Sequence, residues 1–362
     1  MSTSLRAPES RIAIVRLSHL GDIVLTLPLF HALRGAFPGA RIAWVAQAEF
    51  APLLEGLPGL EHVIRFERRG GAQAWLRLRE DLARFAPELA IDAQGNLKSG
   101  FALLASGAQR RVGPARADYR ERWGAFAATE HAAAVDGTSE HAMERTLALC
   151  RHVAGHTEVR RDPASTAVEL AGAEREFAAR VGADAAVLLQ LSPARDVRSW
   201  PVQRCAELVL ACARQGRRVL ALSGPSEARE GLELQARLGE QPGVQHWIAQ
   251  RGLRELAAFF SVAARHGAQY VGCDTGPTHL AAACGLPVTV LCGPHSHLRT
   301  GPWPVARPAP LEVGPHRAVR AAAQPACAPC FARKCRNAEG AVCMSALAVD
   351  DVRMALAARS SP

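Results

Sequence analysis

Twice along this chain, short apolar runs alternate with amphipathic helical stretches, and that rhythm limits the possible folds more than any other feature. In the first round RIAIVRL (11–17), RIAWVA (41–46), EHVIRF (61–66) and ELAIDA (88–93) alternate with patterns such as DIVLTLPLFHALRGAF and AWLRLREDLARFA. Such spacing predicts a parallel sheet covered by helices on both faces. The second round starts at 186 with AVLLQL and runs through RRVLALSG, VQHWIA, QYVGC and PVTVLCG. Between the two, GHTEVRRDPASTAVELAG (155–172) is polar and carries a proline, which sets a boundary near 165. A length of 362 residues leaves room for two core-bearing domains. The expected organisation is an α/β domain at 1–165, a second at 166–345, and a helical tail at 346–362 free to pack back on the first. Two similar sheets imply a ligand-binding cleft between them.

The stretch GCDTGPTHLAAACG (272–285) reads as a strand end, a tight turn and an alanine-rich helix. A helix N-terminus placed there offers backbone N–H groups and a favourable dipole to phosphate. Gly276 permits close approach, Pro277 gives up no needed donor, and His279 lies one turn inside. Simple capping by Asp274 or Thr275 is the other reading. After the first strand of the second round, LSPARDVRSWP (191–201) brings Arg195 and Arg198 to a strand end, where guanidinium groups suit phosphate. Glu227, after the next strand, is placed either to accept from ribose hydroxyls or to serve a helix's first turn.

In the first round, RLSHLGDIVLTLP (16–28) puts Ser18, His19, Gly21 and Asp22 in the turn after strand one. Asp22 is either an N-cap or a base for an attacking hydroxyl. DAQGNLKSG (92–100) sets Lys98 beyond another strand end, as an anion clamp or a plain surface lysine. Three common fingerprints are missing: G-x-G-x-x-G after a strand, G-x-x-x-x-G-K-[ST], and the Asp-x-Asp that would hold a metal against a diphosphate. A bound diphosphate would therefore be neutralised by N–H groups and side-chain cations. A nucleotide-dependent oxidoreductase loses its main support with the glycine fingerprint.

The formal charge is +9, and Lys occurs only at Lys98 and Lys334 among 43 basic residues. That balance suits an anionic ligand or an acidic membrane face. With aromatics at 5% and no basic tail, nucleic acid is not expected. The N-terminal residues lack the pattern of a signal peptide, so a cytoplasmic protein is expected. Of ten cysteines, six sit in apolar contexts and read as small buried hydrophobes. Cys327, Cys330, Cys335 and Cys343 give C-x2-C-x4-C-x7-C, a density that permits a structural zinc although it matches no standard finger.

Together, RLSHLGDIVLTLP, IDAQGNLKSG, the SW-P turn after 198, GCDTGPTHLAAACGLPV and the late PCFARKC resemble glycosyltransferase family 9, the bacterial heptosyltransferases of lipopolysaccharide core assembly. The resemblance implies a GT-B fold, two Rossmann-like domains facing a central cleft, with an ADP-heptose donor held mainly by the second. It implies an inverting, metal-independent transfer to a hydroxyl of the lipopolysaccharide inner core, with no cofactor required. Asp22 matches the proposed base. Asp274, Thr275, Gly276 and His279 match donor-binding positions, and Glu227 matches the nucleoside-contacting acid. Arg198 stands where the family usually has Lys. Ser192 and Arg195 complete the expected donor set, and Ser18 and Lys98 the acceptor set. Ser192-Pro193-Ala194 and Arg251 depart from the family's pattern near the donor, leaving open a different nucleotide sugar or a noncatalytic binding homologue. A monomer in peripheral contact with the inner membrane's cytoplasmic face is expected.

Overall fold

The computed structural model describes residues 10–135, 141–158, 160–161, 163, 167–182, 184, 186–250, 252–303 and 315–358. The chain divides into two compact units, Met1–Ala164 and Ser165–Pro362. The first contains β1 (Arg11–Val15), α1 (Leu20–Ala36), β2 (Arg41–Gln47), α2 (Ala51–Leu54), β3 (His62–Phe66), α3 (Gly71–Phe85), β4 (Leu89–Asp92), α4 (Leu97–Ala105), β5 (Arg110–Gly113), β6 (Glu130–His131) and α5 (Met143–Ala154). Its six described strands are all parallel, in the order β3-β2-β1-β4-β5-β6. Central parallel strands are covered on both faces, so they need apolar residues throughout. Accordingly Ile12, Ala13, Ile14 and Val15 are fully buried. From α3, only Ala74, Leu78, Leu82 and Phe85 enter the core, at the spacing of one helical stripe.

The second unit contains α6 (Ala167–Arg180), β7 (Val187–Gln190), α7 (Val202–Arg214), β8 (Val219–Leu222), α8 (Ala228–Leu238), β9 (Val244–Trp247), α9 (Leu253–Arg265), β10 (Gln269–Cys273), α10 (Gly276–Ala283), β11 (Val288–Leu291), α11 (His297–Thr300), β12 (Arg317–Val319), α12 (Val342–Ser345) and α13 (Val349–Ala357). Its strands are again parallel, in the order β12-β11-β10-β7-β8-β9. Cys205, Cys212 and Cys273 join Val187, Leu189, Val209 and Val271 in this core, as small hydrophobes do. The terminal helix belongs to this unit: α13 sends Val352 and Leu356 into the second core, and the Trp200 indole N–H donates to the Leu347 carbonyl at 3.2 Å just before it.

In both sheets the winding direction reverses at the centre, between β1 and β4 and between β7 and β10. Loops leaving the carboxyl ends of such a strand pair diverge, which opens a crevice for ligands. Asp22 and Lys98 follow β1 and β4, while Arg198 and Asp274 follow β7 and β10. Near the first crevice, the 3-10 segment Arg122–Ala127 lies directly on the start of α4. Two glycines permit that approach: a Cβ on Gly124 would meet the Asn96 carbonyl oxygen at 2.5 Å, and one on Gly100 would meet the Gly124 oxygen at 2.7 Å. Replacing Gly124 by Ala should therefore destabilise the protein by about 1–3 kcal/mol through overpacking. A denaturant titration checks this, and an unshifted midpoint would show that the α4 terminus yields without cost.

Candidate functional site

In the first unit the turn after β1 is braced from β4. The Gln94 side-chain oxygen accepts from the Leu17 amide at 2.8 Å and the Ser18 amide at 3.2 Å. Arg16 donates to the Ala93 carbonyl and pairs with Asp22, Nη2 to Oδ2 at 2.6 Å. His19 lies 3.6 Å from the same carboxylate oxygen. Asp22 is thus in the first turn of α1, with its side chain 43% exposed and oriented by an ion pair. The N-cap position is held by His19, so Asp22 does not fill the cap role left open for it.

Lys98 is exposed in the first turn of α4. That helix begins with a reciprocal cap: Asn96 accepts from the Ser99 amide, and the Ser99 hydroxyl oxygen accepts from the Asn96 amide. Beneath it Asp92 is fully buried, accepting from the Gln94 and Gly95 amides, both at 2.9 Å, and from the Ser99 hydroxyl at 3.0 Å. Burial pushes its carboxyl up, against the pull of those three donors.

In the second unit Asp274 ends β10 with only 4% of its surface exposed. One carboxylate oxygen faces His279 Nε2 at 3.3 Å; the other faces His295 Nδ1 at 3.0 Å and accepts from the Thr300 hydroxyl at 2.7 Å. Burial alone would raise its carboxyl, but the His279, His295 and Thr300 contacts prevail and hold it well below the usual carboxylate range. Neither Asp274 nor Thr275 makes a side-chain cap on α10. The simple capping reading therefore fails at this turn. His279 Nδ1 is buried and has no hydrogen-bond partner among the described residues, an atom a bound ligand can satisfy.

Arg198 reaches this turn from the loop after β7. Its Nη1 donates to the Asp274 carbonyl at 2.6 Å, while Nε and Nη2 grip Asp196 at 2.9 and 2.6 Å. Burial opposes the Arg198 charge, but the Asp196 carboxylate outweighs it and raises the guanidinium's pKa. Three of five N–H donors are thereby used, leaving two. Arg195 is exposed in the same loop, and Ser192 is buried at its start. The Ala194 amide donates to Glu230 at 2.7 Å, which removes one N–H from any anion there. Glu227 is half-buried and accepts from the Gly224 amide at 2.9 Å and from the Ser226 hydroxyl, the local capping role left open for it.

Arg16, Asp196, Glu230, His295 and Thr300 escaped sequence reasoning. Arg16 and His295 lie within four residues of a strand end, so scanning every strand end would have raised them, whereas Glu230 and Thr300 lie in the helices beyond and carry no such signal. The cysteine-rich segment contributes there too. Phe331 stacks on His295 with ring centroids 5.5 Å apart, and the Cys330 and Phe331 amides donate to the Pro294 carbonyl at 3.0 and 2.9 Å.

Cys327, Cys330, Cys335 and Cys343 line one small cavity with Val197 and Pro294, and burial beside the other three thiols pushes the Cys343 thiol up. Among the described residues no three His, Cys, Asp or Glu side chains are gathered as a metal-ligand set, and the Cys335 thiol turns to the Gly340 carbonyl at 3.1 Å. Arg251 lies outside the described residues. No helix among the described residues is long and apolar enough to cross a membrane.

Two parallel Rossmann-like units, each with charged side chains at its sheet reversal, have the architecture of the GT-B class, and sequence comparison gives the family. The model described as glycosyltransferase family 9 (heptosyltransferase) matches residues 75–339, and the chain belongs to that family. It is an enzyme of glycosyl transfer. Lipopolysaccharide heptosyltransferase 1 of Pseudomonas aeruginosa is 28% identical over 337 residues, covering 90% of this chain and 87% of that one. The Escherichia coli heptosyltransferase WaaC, solved with ADP, superposes with a TM-score of 0.69 at 21% identity, covering 97% of this chain and 100% of that one. Its structure with ADP-2-deoxy-2-fluoro heptose gives 0.67 at 21% identity and the same coverage. The family assignment sets the oxidoreductase alternative aside.

The Asp274 network has a pH consequence. Because the folded carboxyl is depressed, its contribution to stability is complete above the unfolded value near ~4 and is lost as pH falls through the folded one. Asp274→Asn should cost about 3 kcal/mol at pH 7. The gap between variant and wild type should narrow as acid unfolding is followed downward from about pH 4. A gap constant down to the acid limit would show that the carboxylate's charge is not what stabilises the turn.

Proposed function

We propose that this enzyme transfers L-glycero-D-manno-heptose from ADP-heptose to a hydroxyl of the lipopolysaccharide inner core, by an inverting, metal-independent displacement. The observation that carries the reading is the chemistry at the two sheet reversals: a half-exposed carboxylate, Asp22, in one unit, and the Arg198–Asp274 turn leading into a helix N-terminus in the other. In this scheme Asp22 removes the proton from the acceptor hydroxyl. The freed oxygen attacks the anomeric carbon as its bond to the ADP oxygen breaks, through an oxocarbenium-like state, and one displacement inverts the configuration.

Charge grows on the departing diphosphate as that bond breaks. Groups that meet it there lower the barrier more than they tighten substrate binding. The Gly276 amide at the start of α10, the two remaining donors of Arg198 and the exposed Arg195 supply them, with Thr275 and His279 shaping the seat and Ser192 at its edge. Glu227 reaches the ribose through lone pairs that its local bonds leave free. On the acceptor side, Arg16 holds the Asp22 carboxylate in one orientation, while Ser18 and Lys98 meet the acceptor and its anionic groups. The relatives named lipopolysaccharide heptosyltransferase and the neighbour solved with ADP and a heptose analogue support the donor and acceptor classes. The enzyme acts as a monomer at the cytoplasmic face of the inner membrane.

Incubation with ADP-heptose and core-truncated lipopolysaccharide should yield heptosylated product with the anomeric configuration reversed, at a rate unaffected by EDTA. Asp22→Asn should lower kcat by about a thousandfold while ADP affinity stays within about twofold, as read by calorimetry. Turnover near the wild-type rate would remove Asp22 as the base.

A further inference from the structure

Among the described residues, four of the eight exposed large hydrophobic side chains fall within one stretch of the first unit: Phe101, Leu104, Trp123 and Phe126, exposed at 47, 40, 82 and 52%. They do not fall there by scatter. Phe101 and Leu104 are three apart on α4 and share a face. Trp123 and Phe126 are three apart in a 3-10 segment, where side chains at that spacing eclipse. The Gly100–Gly124 backbone contact presses the two elements together, and Phe101 meets Phe126 edge to face with centroids 6.2 Å apart.

A cationic rim borders this surface. Lys98 is one turn before Phe101 on the same face of α4, and Arg120 and Arg122 flank the start of the 3-10 segment, all three exposed. None of the three pairs with a carboxylate among the described residues. The nearby acid, Glu121, is occupied by the Leu97 amide at 2.9 Å, at the N-terminus of α4. Isolated exposed apolar residues need no explanation, but a cluster of them rimmed by three cations against one acid does.

We propose that this face docks on an anionic phospholipid bilayer, with Trp123, Phe126, Phe101 and Leu104 entering the headgroup boundary and Arg120 and Arg122 meeting lipid phosphates. Aromatic rings with polar neighbours favour that boundary, and each cation close to an acidic leaflet strengthens binding by about fivefold. A protein partner would require a matching acidic apolar surface, whereas an acidic leaflet offers both chemistries everywhere. The biological sense rests on the lipid-linked acceptor reading, since Lys98 begins the same helix, but the docking itself does not.

The full-length protein is tested by flotation with vesicles of phosphatidylglycerol and phosphatidylethanolamine, and with neutral phosphatidylcholine vesicles. Wild type should bind the anionic vesicles at least tenfold more tightly, with affinity falling as salt rises. Trp123→Ser with Phe126→Ser should weaken binding by about tenfold, and Arg120→Gln with Arg122→Gln should weaken it and flatten the salt dependence. Unchanged melting checks folding, which exposed positions should preserve. The Trp123→Ser, Phe126→Ser variant should keep its turnover of a deacylated, water-soluble acceptor and lose it on the vesicle-embedded one. Equal binding to both vesicle types, undiminished binding by the variants, or a wild-type dimer that the aromatic substitutions dissociate would each overturn the docking face. Vesicle binding with no heptose transfer would instead overturn the transferase reading alone.

Discussion

In a doubly wound parallel sheet the two middle strands are followed by loops that part in opposite directions, and here that geometry determines where chemistry is possible in each unit. The constraint is one of hydrogen bonding. Strand ends and helix starts leave backbone groups without regular partners, and at a reversal no crossover lies over them. The chain fills these positions with side chains that complete the backbone: Gln94 takes the Leu17 and Ser18 amides, Asp92 takes those of Gln94 and Gly95, and Arg198 takes the Asp274 carbonyl. Asp22 and Asp274 each lie beside one of these braces.

The two reversals are built differently, and the difference follows their chemistry. At Asp274 a nearly dry carboxylate is surrounded by two histidines and a hydroxyl, with Arg198 on its own carbonyl. Such an acid is fixed as an anion and cannot exchange protons near neutral pH, which suits it to shaping a seat and orienting His279. Asp22 is half-exposed and tied by one arginine, so a substrate hydroxyl can reach it. These two aspartates, one after the first strand of its sheet and the other after the strand across the reversal, thus sit in different environments, set by burial and by the number of donors each accepts.

Most of the fold was legible because the central strands are apolar on both faces and separated by striped helices. The strands foreseen at 11–17, 41–46, 61–66 and 88–93 appear as β1 to β4 within one or two residues. The outer strands β5, β6 and β12 were not foreseen. RRVG, EH and RAV are too short and too polar to stand out, and they are fixed by pairing to a strand already in place. The site divides the same way. Residues in a turn beside a glycine, such as Asp22 and Asp274, carry a local signal, whereas His295 and Thr300 reach Asp274 from 21 and 26 residues further on. Only the side-by-side register of β10 and β11 brings those loops together.

Arg198 shows why residue type alone misstates a role. Read from the sequence, it is a cation for the diphosphate; in the structure most of its donors are committed to Asp196 and to the Asp274 carbonyl. An arginine so engaged stays charged and still, which makes it a better preorganised donor than a freely rotating lysine, because little is left to reorganise when charge develops on the leaving group. Arg195, exposed and untethered, must be ordered by the ligand it meets, and that ordering costs side-chain entropy. Under the proposed transfer, selectivity for transition state over ground state would fall mainly to Arg198 and the Gly276 amide, while Arg195 would serve capture of the anion. An arginine clamped by its own loop keeps its charge and adds a fixed direction.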